Sequence, residues 1–225
     1  MGSPLSTHSI APAVVLRGDG AWDEAQPQIA SLGQKPAVLG RSAATRQLRA
    51  QLQADLSRGG LLPLGIELKH DCCEDDLQRL ADEVTANGSD SILAAGGGKV
   101  LDAGKLLADR LGLPCITVPL SAATCAGWTA LSNIYSADGA FQGDVALARC
   151  PDLLVFDHGL IRQAPQRTLA SGIADALAKW YEASVSSRDS SDGMVQQAVQ
   201  MARVLRDQLL LDSREAFQDP SSDAW

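Results

Sequence analysis

Histidine, aromatic side chains and basic charge are scarce in this chain of 225 residues. It has three histidines, 4% aromatic residues, and 19 Lys and Arg against 27 Asp and Glu, for a formal net charge of -8. Nucleic acids and anionic membrane surfaces bind proteins through a basic footprint, so neither is expected as the main partner. A small phosphate-bearing ligand stays compatible with this balance, because one or two local cations suffice for it.

The sequence also lacks the marks of secreted, zinc-stapled and membrane-spanning proteins. No stretch approaches the roughly 20 apolar residues of a membrane span. The five cysteines include no CxxC pair, and no signal-peptide pattern precedes the first strand candidate. We therefore expect a cytoplasmic protein with reduced thiols.

What the chain does contain is an alternation of short apolar runs with amphipathic segments. Strands are predicted at 13–16, 36–40, 61–68, 91–95, 115–119 and 153–156, and helices at 22–32, 42–57, 74–86 and 99–111. Such alternation predicts an α/β domain with a parallel sheet. The segments 131–136 and 140–147, joined at Asp138-Gly139, predict an antiparallel hairpin inserted after a sheet strand.

From about residue 165 the pattern becomes wholly helical, with helices predicted at 166–187 and 193–211. We therefore divide the chain into an α/β domain, 1–162, and the start of an all-helical domain, 163–225. Two helices do not make a core that is stable alone, so the second domain is expected to be truncated. Exposed apolar surface on it would favour self-association into a homo-oligomer.

The strongest local motif is Gly96-Gly97-Gly98-Lys99, between a buried strand and a helix. Glycines allow close backbone approach, and the amide groups at a helix N-terminus favour a pyrophosphate. The motif is neither GxGxxG nor a P-loop, since Val100 follows Lys99. The alternative is a tight strand-to-helix turn that binds nothing.

Two further clusters become informative only in combination with this motif. The segment 121–132 is rich in small hydroxyl residues and follows a strand, where open α/β sheets bind ligands, although a packed polar loop would look the same. Asp175, in Ser-Gly-Ile-Ala-Asp, lies early in an apolar helix. An acid there is usually a cap or a dipole partner unless its neighbours make it a metal ligand.

The three clusters, in this order, resemble the N-terminal portion of the glycerol dehydrogenase branch of the iron-containing alcohol dehydrogenase superfamily. The resemblance rests on Gly-Gly-Gly-Lys-Val-Leu-Asp and Ser-Gly-Ile-Ala-Asp-Ala-Leu-Ala. It implies a dehydroquinate synthase-like fold, in which a dinucleotide-binding α/β domain precedes a helical metal-binding domain. It also implies hydride transfer between NAD or NADP and the CH–OH group of a small polyol or hydroxy acid, with zinc or iron polarising the oxygen. Sister activities of this fold, 3-dehydroquinate synthase and glycerol-1-phosphate dehydrogenase, fit these motifs less well.

The resemblance assigns roles to individual residues, although it leaves the catalytic residues unknown. Asp175 would be a metal ligand. The cofactor would contact residues in the glycine-rich turn and the segments after it: Gly97, Gly98, Lys99, Asp102, Thr124, Thr129, Leu131 and Tyr135.

Two departures from the family pattern bear on substrate and cofactor. Cys125 stands where glycerol dehydrogenases have an Asp that contacts the polyol, and Thr-Cys-Ala-Gly-Trp is more similar to the hydroxycarboxylate dehydrogenases of this group. Losing a carboxylate removes repulsion against an anionic 2-oxo acid. Arg41 stands where an acid commonly binds the adenosine ribose, and an arginine can pair with a 2′-phosphate instead. We therefore predict a preference for NADP(H), with a solvated loop charge as the alternative.

A third departure concerns the metal. The family adds two histidines to its metal-binding aspartate, whereas His8, His70 and His158 have no ligand spacing with Asp175. Catalytic zinc sites use about three protein ligands. The alternative function is therefore a non-catalytic dinucleotide-binding remnant or interaction module.

Overall fold

The computed structural model describes residues 8–222 and 224, which form two compact units. The first comprises the described residues up to Leu120 together with Ala126–Ile161, and the second comprises Ser121–Cys125 and Arg162 onward. No helix in the described part of the chain combines the length and apolarity needed to cross a membrane.

The first unit is built on a six-stranded sheet whose strands are β1 (Val14–Gly18), β2 (Pro36–Gly40), β3 (Leu64–Glu67), β4 (Ser91–Gly96), β5 (Cys115–Pro119) and β8 (Leu153–Asp157). The strands lie in the order β1-β8-β5-β4-β2-β3, and every neighbouring pair is parallel. Five helices accompany them: α1 (Ala21–Leu32), α2 (Arg46–Arg58), α3 (Glu74–Asn87), α4 (Gly98–Leu111) and the single turn α5 (His158–Ile161).

The sheet carries a hydrophobic core on each face. Along β4, Ile92 and Ala94 join the cluster that includes α3 and α4, whereas Leu93 and Ala95 join the cluster that includes α1 and α2. Successive side chains of a strand point to opposite faces, so a strand covered on both sides is apolar throughout. The continuous burial of β4 follows from this position.

An antiparallel hairpin, β6 (Leu131–Tyr135) and β7 (Phe141–Ala146), forms a separate two-stranded sheet in the first unit. A register shift between Ile134 and Tyr135 interrupts the ladder. The hairpin is fixed to the rest of the unit by the amide of Tyr135, which donates to the carbonyl oxygen of Cys72 at 2.8 Å.

The second unit consists of two long helices, α6 (Gln166–Ser186) and α7 (Gly193–Gln218), and the short segment Ser121–Cys125. Several of its large apolar side chains are exposed: Tyr181, Val185, Met201, Val204, Leu210 and Leu211. A Cβ atom on Gly172 would lie 1.7 Å from the carbonyl oxygen of Ala122. The early part of α6 and the segment Ser121–Cys125 can therefore approach this closely only because residue 172 is glycine.

The predicted fold class is confirmed, since a parallel α/β sheet is followed by helices. The predicted hairpin is present as well. Three details differ from the prediction. The helix predicted from residue 42 begins only at Arg46, after a 3-10 turn at Ala43–Thr45. The third strand is shorter, because Pro63 lacks an amide hydrogen for the ladder, and α7 continues to Gln218 rather than ending at residue 211.

Candidate nucleotide-binding site

The glycine-rich turn connects the carboxyl end of β4 to the first residue of α4. Gly97 is the N-cap of this helix, with φ −87° and ψ −176°, and as a glycine it has no side chain that could accept a hydrogen bond from the first amides. A Cβ atom on Gly96 would lie 2.8 Å from the Cβ of Val100, so the turn packs tightly on its own helix. The first turn of α4 is thus not capped by the side chain of its own N-cap residue, an arrangement in which helix N-termini can accept an anion.

A buried carboxylate joins the two predicted cofactor cations beside this turn. Asp71 accepts a hydrogen bond from Arg41 Nη1 on one oxygen and from Lys99 Nζ on the other. Asp71 is only 7% exposed, whereas the side chains of Arg41 and Lys99 are 40% and 44% exposed. Burial by itself would raise the pKa of Asp71, but the hydrogen bond from Lys99 and the nearby charge of Arg41 outweigh it and lower the pKa below its usual value.

Tyr135 flanks the same group from the hairpin. The ammonium of Lys99 lies 4.8 Å from the centroid of the Tyr135 ring, within cation–π distance. Tyr135 in turn has an edge-to-face contact with Phe141, with ring centroids 6.0 Å apart. One cluster thus contains Asp71 together with three predicted cofactor-binding residues, Arg41, Lys99 and Tyr135.

Asp102 faces the interior of the unit, on a different part of α4. Its carboxylate lies 3.2 Å from Lys105 Nζ, and the Lys105 side chain is 1% exposed. Lys105 donates to the carbonyl oxygen of Thr129 at 3.1 Å, to its hydroxyl at 3.2 Å and to the carbonyl oxygen of Leu131. Through this pair, α4 fixes the start of the hairpin, where Thr129 and Leu131 are predicted to contact the cofactor.

Thr124, Cys125 and Asp175 belong to the second unit. Cys125 is exposed, and all five cysteines are free thiols. The Asp175 side chain is 43% exposed and lies 3.5 Å from Lys179 Nζ, which also contacts Glu182 at 3.0 Å. This pattern is an exposed charge network along one helix.

The side chains present do not fit a catalytic metal at Asp175. Within the described part of the chain, the one group of three ligating side chains that lie close together is His70, Cys73 and Asp76, in the other unit. There, Asp76 already accepts two backbone amide hydrogens, at 2.8 and 2.6 Å, and one from Arg79 at 2.8 Å. Those bonds assign Asp76 to fixing the start of α3 rather than to holding a metal.

Sequence reasoning missed Asp71 and Lys105, although each left a signal. Asp71 follows β3, the neighbour of the strand that precedes Arg41, so its position at the carboxyl edge could be anticipated. Lys105 is a charged residue three positions after Asp102 in a largely apolar helix, a spacing that predicts a pair.

The sequence matches the model of a known protein family. Residues 12–158 match the family model described as iron-containing alcohol dehydrogenase. The chain therefore belongs to this family of oxidoreductases, which confirms the resemblance inferred from its motifs.

The chain is also similar to individual proteins of this kind. The chain is 50% identical over 223 residues to an uncharacterized oxidoreductase of Synechocystis, covering 99% of this chain and 57% of that protein. It is 39% identical over 150 residues to hydroxycarboxylate dehydrogenase A of Escherichia coli, covering 66% of this chain and 41% of that one. A probable glycerol dehydrogenase from Sinorhizobium meliloti superposes with a TM-score of 0.81 at 27% identity, covering 95% of this chain and 60% of that one. The chain thus spans roughly half the length of these relatives, between 41% and 60% of each.

Proposed function

We propose that this chain forms the dinucleotide-binding part of an NAD(P)-dependent, metal-dependent oxidoreductase that acts on the CH–OH group of a small polyol or hydroxy acid. In this proposal residues 1–162 bind the dinucleotide and 163–225 begin the helical metal-binding domain of a cytoplasmic enzyme. The observation that supports it most directly is the α4 terminus, where amides without a side-chain cap lie next to Lys99.

Different residues of the chain would bind different parts of the nucleotide. Gly97, Gly98 and Lys99 would bind the pyrophosphate, and Arg41 would pair with a 2′-phosphate, which favours NADP(H). Thr124, Thr129, Leu131 and Tyr135 would line the ribose and nicotinamide. The buried pair Asp102–Lys105 would hold the hairpin part of that lining in place.

Titration calorimetry with NADPH and NADH tests the proposal on the wild-type chain. We expect both nucleotides to bind, and Lys99→Ala to weaken both by about tenfold or more, because a charge-assisted hydrogen bond is lost. Lys35→Ala is the matched control, since Lys35 immediately precedes β2 and so lies at the opposite, amino edge of the sheet. If neither nucleotide binds the wild type, the proposal is wrong.

For the substrate, we propose a small 2-oxo or 2-hydroxy acid rather than a neutral polyol. Cys125 supports this, because the exposed thiol puts no carboxylate at the position where the polyol-binding acid is expected. The test is saturation-transfer NMR on the NADP⁺ complex with lactate against glycerol. Binding of lactate that is lost in Cys125→Asp supports the acid, and binding of glycerol alone contradicts it.

The second candidate is a non-catalytic dinucleotide-binding module. The metal-ligating side chains that this chain offers favour this candidate for the chain by itself. Asp175 is in an ion pair with Lys179 and belongs to no close group of ligating side chains among the described residues. Nucleotide binding without turnover of either substrate class would support it, and turnover by the chain alone would contradict it.

We also propose self-association through the apolar side chains that α6 and α7 leave exposed. Light scattering on a sizing column tests this: a monodisperse monomer across a concentration series would contradict it.

A further inference from the structure

The two oxygens of the Asp71 carboxylate are divided between the two cations of the candidate site. One accepts from Arg41 and the other from Lys99. Because Asp71 is 7% exposed, its charge is held in place, while its partners reach solvent. In the free protein, Arg41 is therefore paired with an internal anion.

The strand order of the sheet indicates which part of a bound nucleotide each of the two cations would face. The strands β4, β2 and β3 are parallel neighbours, and Lys99, Arg41 and Asp71 follow their respective carboxyl ends. In sheets of this kind the pyrophosphate lies at the glycine-rich turn and the adenosine ribose at the end of the adjacent strand. Under the proposed function, Lys99 faces the part common to both nucleotides, and Arg41 faces the part that differs between them.

We propose that Asp71 sets the nucleotide selectivity of this site, because it competes with the 2′-phosphate for Arg41. NADPH has to replace the Asp71 carboxylate at the guanidinium, or share it, whereas NADH leaves the pair intact. Asp71 is in this sense a specificity-determining residue that acts through Arg41.

Asp71 also contacts Lys99, and its effect through Lys99 can be separated from its effect through Arg41. Lys99 is held by Asp71 on one side and by the Tyr135 ring, at 4.8 Å, on the other. Any effect of Asp71 through Lys99 changes the binding of both nucleotides equally, because both carry the pyrophosphate. The ratio of the two affinities therefore isolates the part that acts through Arg41.

The test is calorimetry of NADPH and NADH on the wild type, Asp71→Asn, Arg41→Ala and the double variant. We expect Asp71→Asn to raise the ratio of NADPH to NADH affinity by about fivefold, the factor expected from one unit-charge interaction across about 4 Å of water. Arg41→Ala should lower the ratio, and the double variant should match Arg41→Ala alone. Glu74→Gln is the matched control, since it removes one charge from the exposed Arg110 pair and should leave the ratio unchanged.

The proposal rests on the proposed function, and the outcomes separate the two. If the wild type binds neither nucleotide, both fail. If both nucleotides bind but Asp71→Asn shifts the ratio no more than Glu74→Gln does, the role of Asp71 is overturned while the proposed function stands. An unchanged ratio of NADPH to NADH affinity in Arg41→Ala also overturns the role of Asp71. If Asp71→Asn does not fold, Asp71→Ser is a second neutral variant for the same test.

Discussion

The ammonium of Lys105 lies 3.2 Å from the carboxylate of Asp102, and both side chains are almost completely buried. Burial raises the pKa of Asp102, and the charge of Lys105 opposes that effect only in part. Lys105→Met would leave Asp102 without a cationic partner and remove the hydrogen bonds from Lys105 to the carbonyl oxygens of Thr129 and Leu131. We expect a loss of about 3–5 kcal/mol in the free energy of unfolding, measured by urea denaturation.

A double variant separates the charge from the packing at this pair. Lys105→Met with Asp102→Leu removes both charges, so it is expected to cost less than Lys105→Met alone. If the double variant is as unstable as the sum of the two single variants, the ion pair is not the reason for the loss.

Gly172→Ala tests the close approach of α6 to the segment Ser121–Cys125. The new Cβ would lie 1.7 Å from the carbonyl oxygen of Ala122, so backbone has to move. We expect a loss of about 1–3 kcal/mol, seen as a lower melting temperature by circular dichroism. Gly193→Ala is the control, because nothing lies within 4 Å of its Cβ position and alanine favours the helix. Equal melting temperatures for the two variants would contradict the packing described.

Local patterns predicted most of the fold, because the sheet strands are short apolar runs and the helices have clear ends. The strand Cys115–Pro119 and the beginning of α3 at Glu74 agree with their predicted positions. The end of α7 did not follow from spacing alone, since its last turns depend on tertiary contacts: Ala216 is 5% exposed, and the carbonyl oxygen of Phe217 accepts from Gln166 at 2.6 Å.

The candidate site was predictable where a motif is continuous and not where it depends on contacts distant in sequence. The Gly97–Lys99 turn could be read directly from its position between a strand and a helix. The link from Arg41 through Asp71 to Lys99 joins three loops, and only the strand order brings these loops together. The partner of Asp102 was missed for a related reason, because periodicity shows which face a residue occupies and not what it contacts.

The carboxylate of Asp76 gives the protein a defined response to acid. Burial would raise the pKa of Asp76, but the amides of His70 and Lys69 and the guanidinium of Arg79 outweigh burial and lower it. A lowered pKa contributes stability above the pKa of the unfolded chain, and this contribution is lost as the pH falls through the folded value. Asp76→Asn should therefore cost about 1–3 kcal/mol at pH 7, and its difference from the wild type should shrink below about pH 4.

The measurement is urea denaturation at a series of pH values. Asp75→Asn serves as the control, because Asp75 is exposed in the same helical turn. A difference between Asp76→Asn and the wild type that stays constant down to about pH 3 would contradict the assignment.

Thiol reactivity should distinguish Cys125 from the other cysteines. Cys125 is exposed, whereas Cys72, Cys73, Cys115 and Cys150 are buried. Burial raises the pKa of Cys72 and of Cys115 to about 12, which suppresses the reactive thiolate. We expect iodoacetamide at about pH 8 to modify Cys125 roughly tenfold faster than the others, or more, in the native protein. Peptide mapping would show this, Cys125→Ser should abolish the fast phase, and modification of all five at one rate would contradict it.

The cap residue of α4 has a consequence for the lifetime of the protein. Gly97, as the cap, has no side chain to satisfy the first amides of the helix, whereas a serine or aspartate there would satisfy one of them permanently. The free chain is thus less stable than a self-capped version, and a bound anion supplies what the side chain would have given. We expect unliganded molecules to unfold and to be degraded first, so that the steady-state amount of this protein follows the supply of its own ligand.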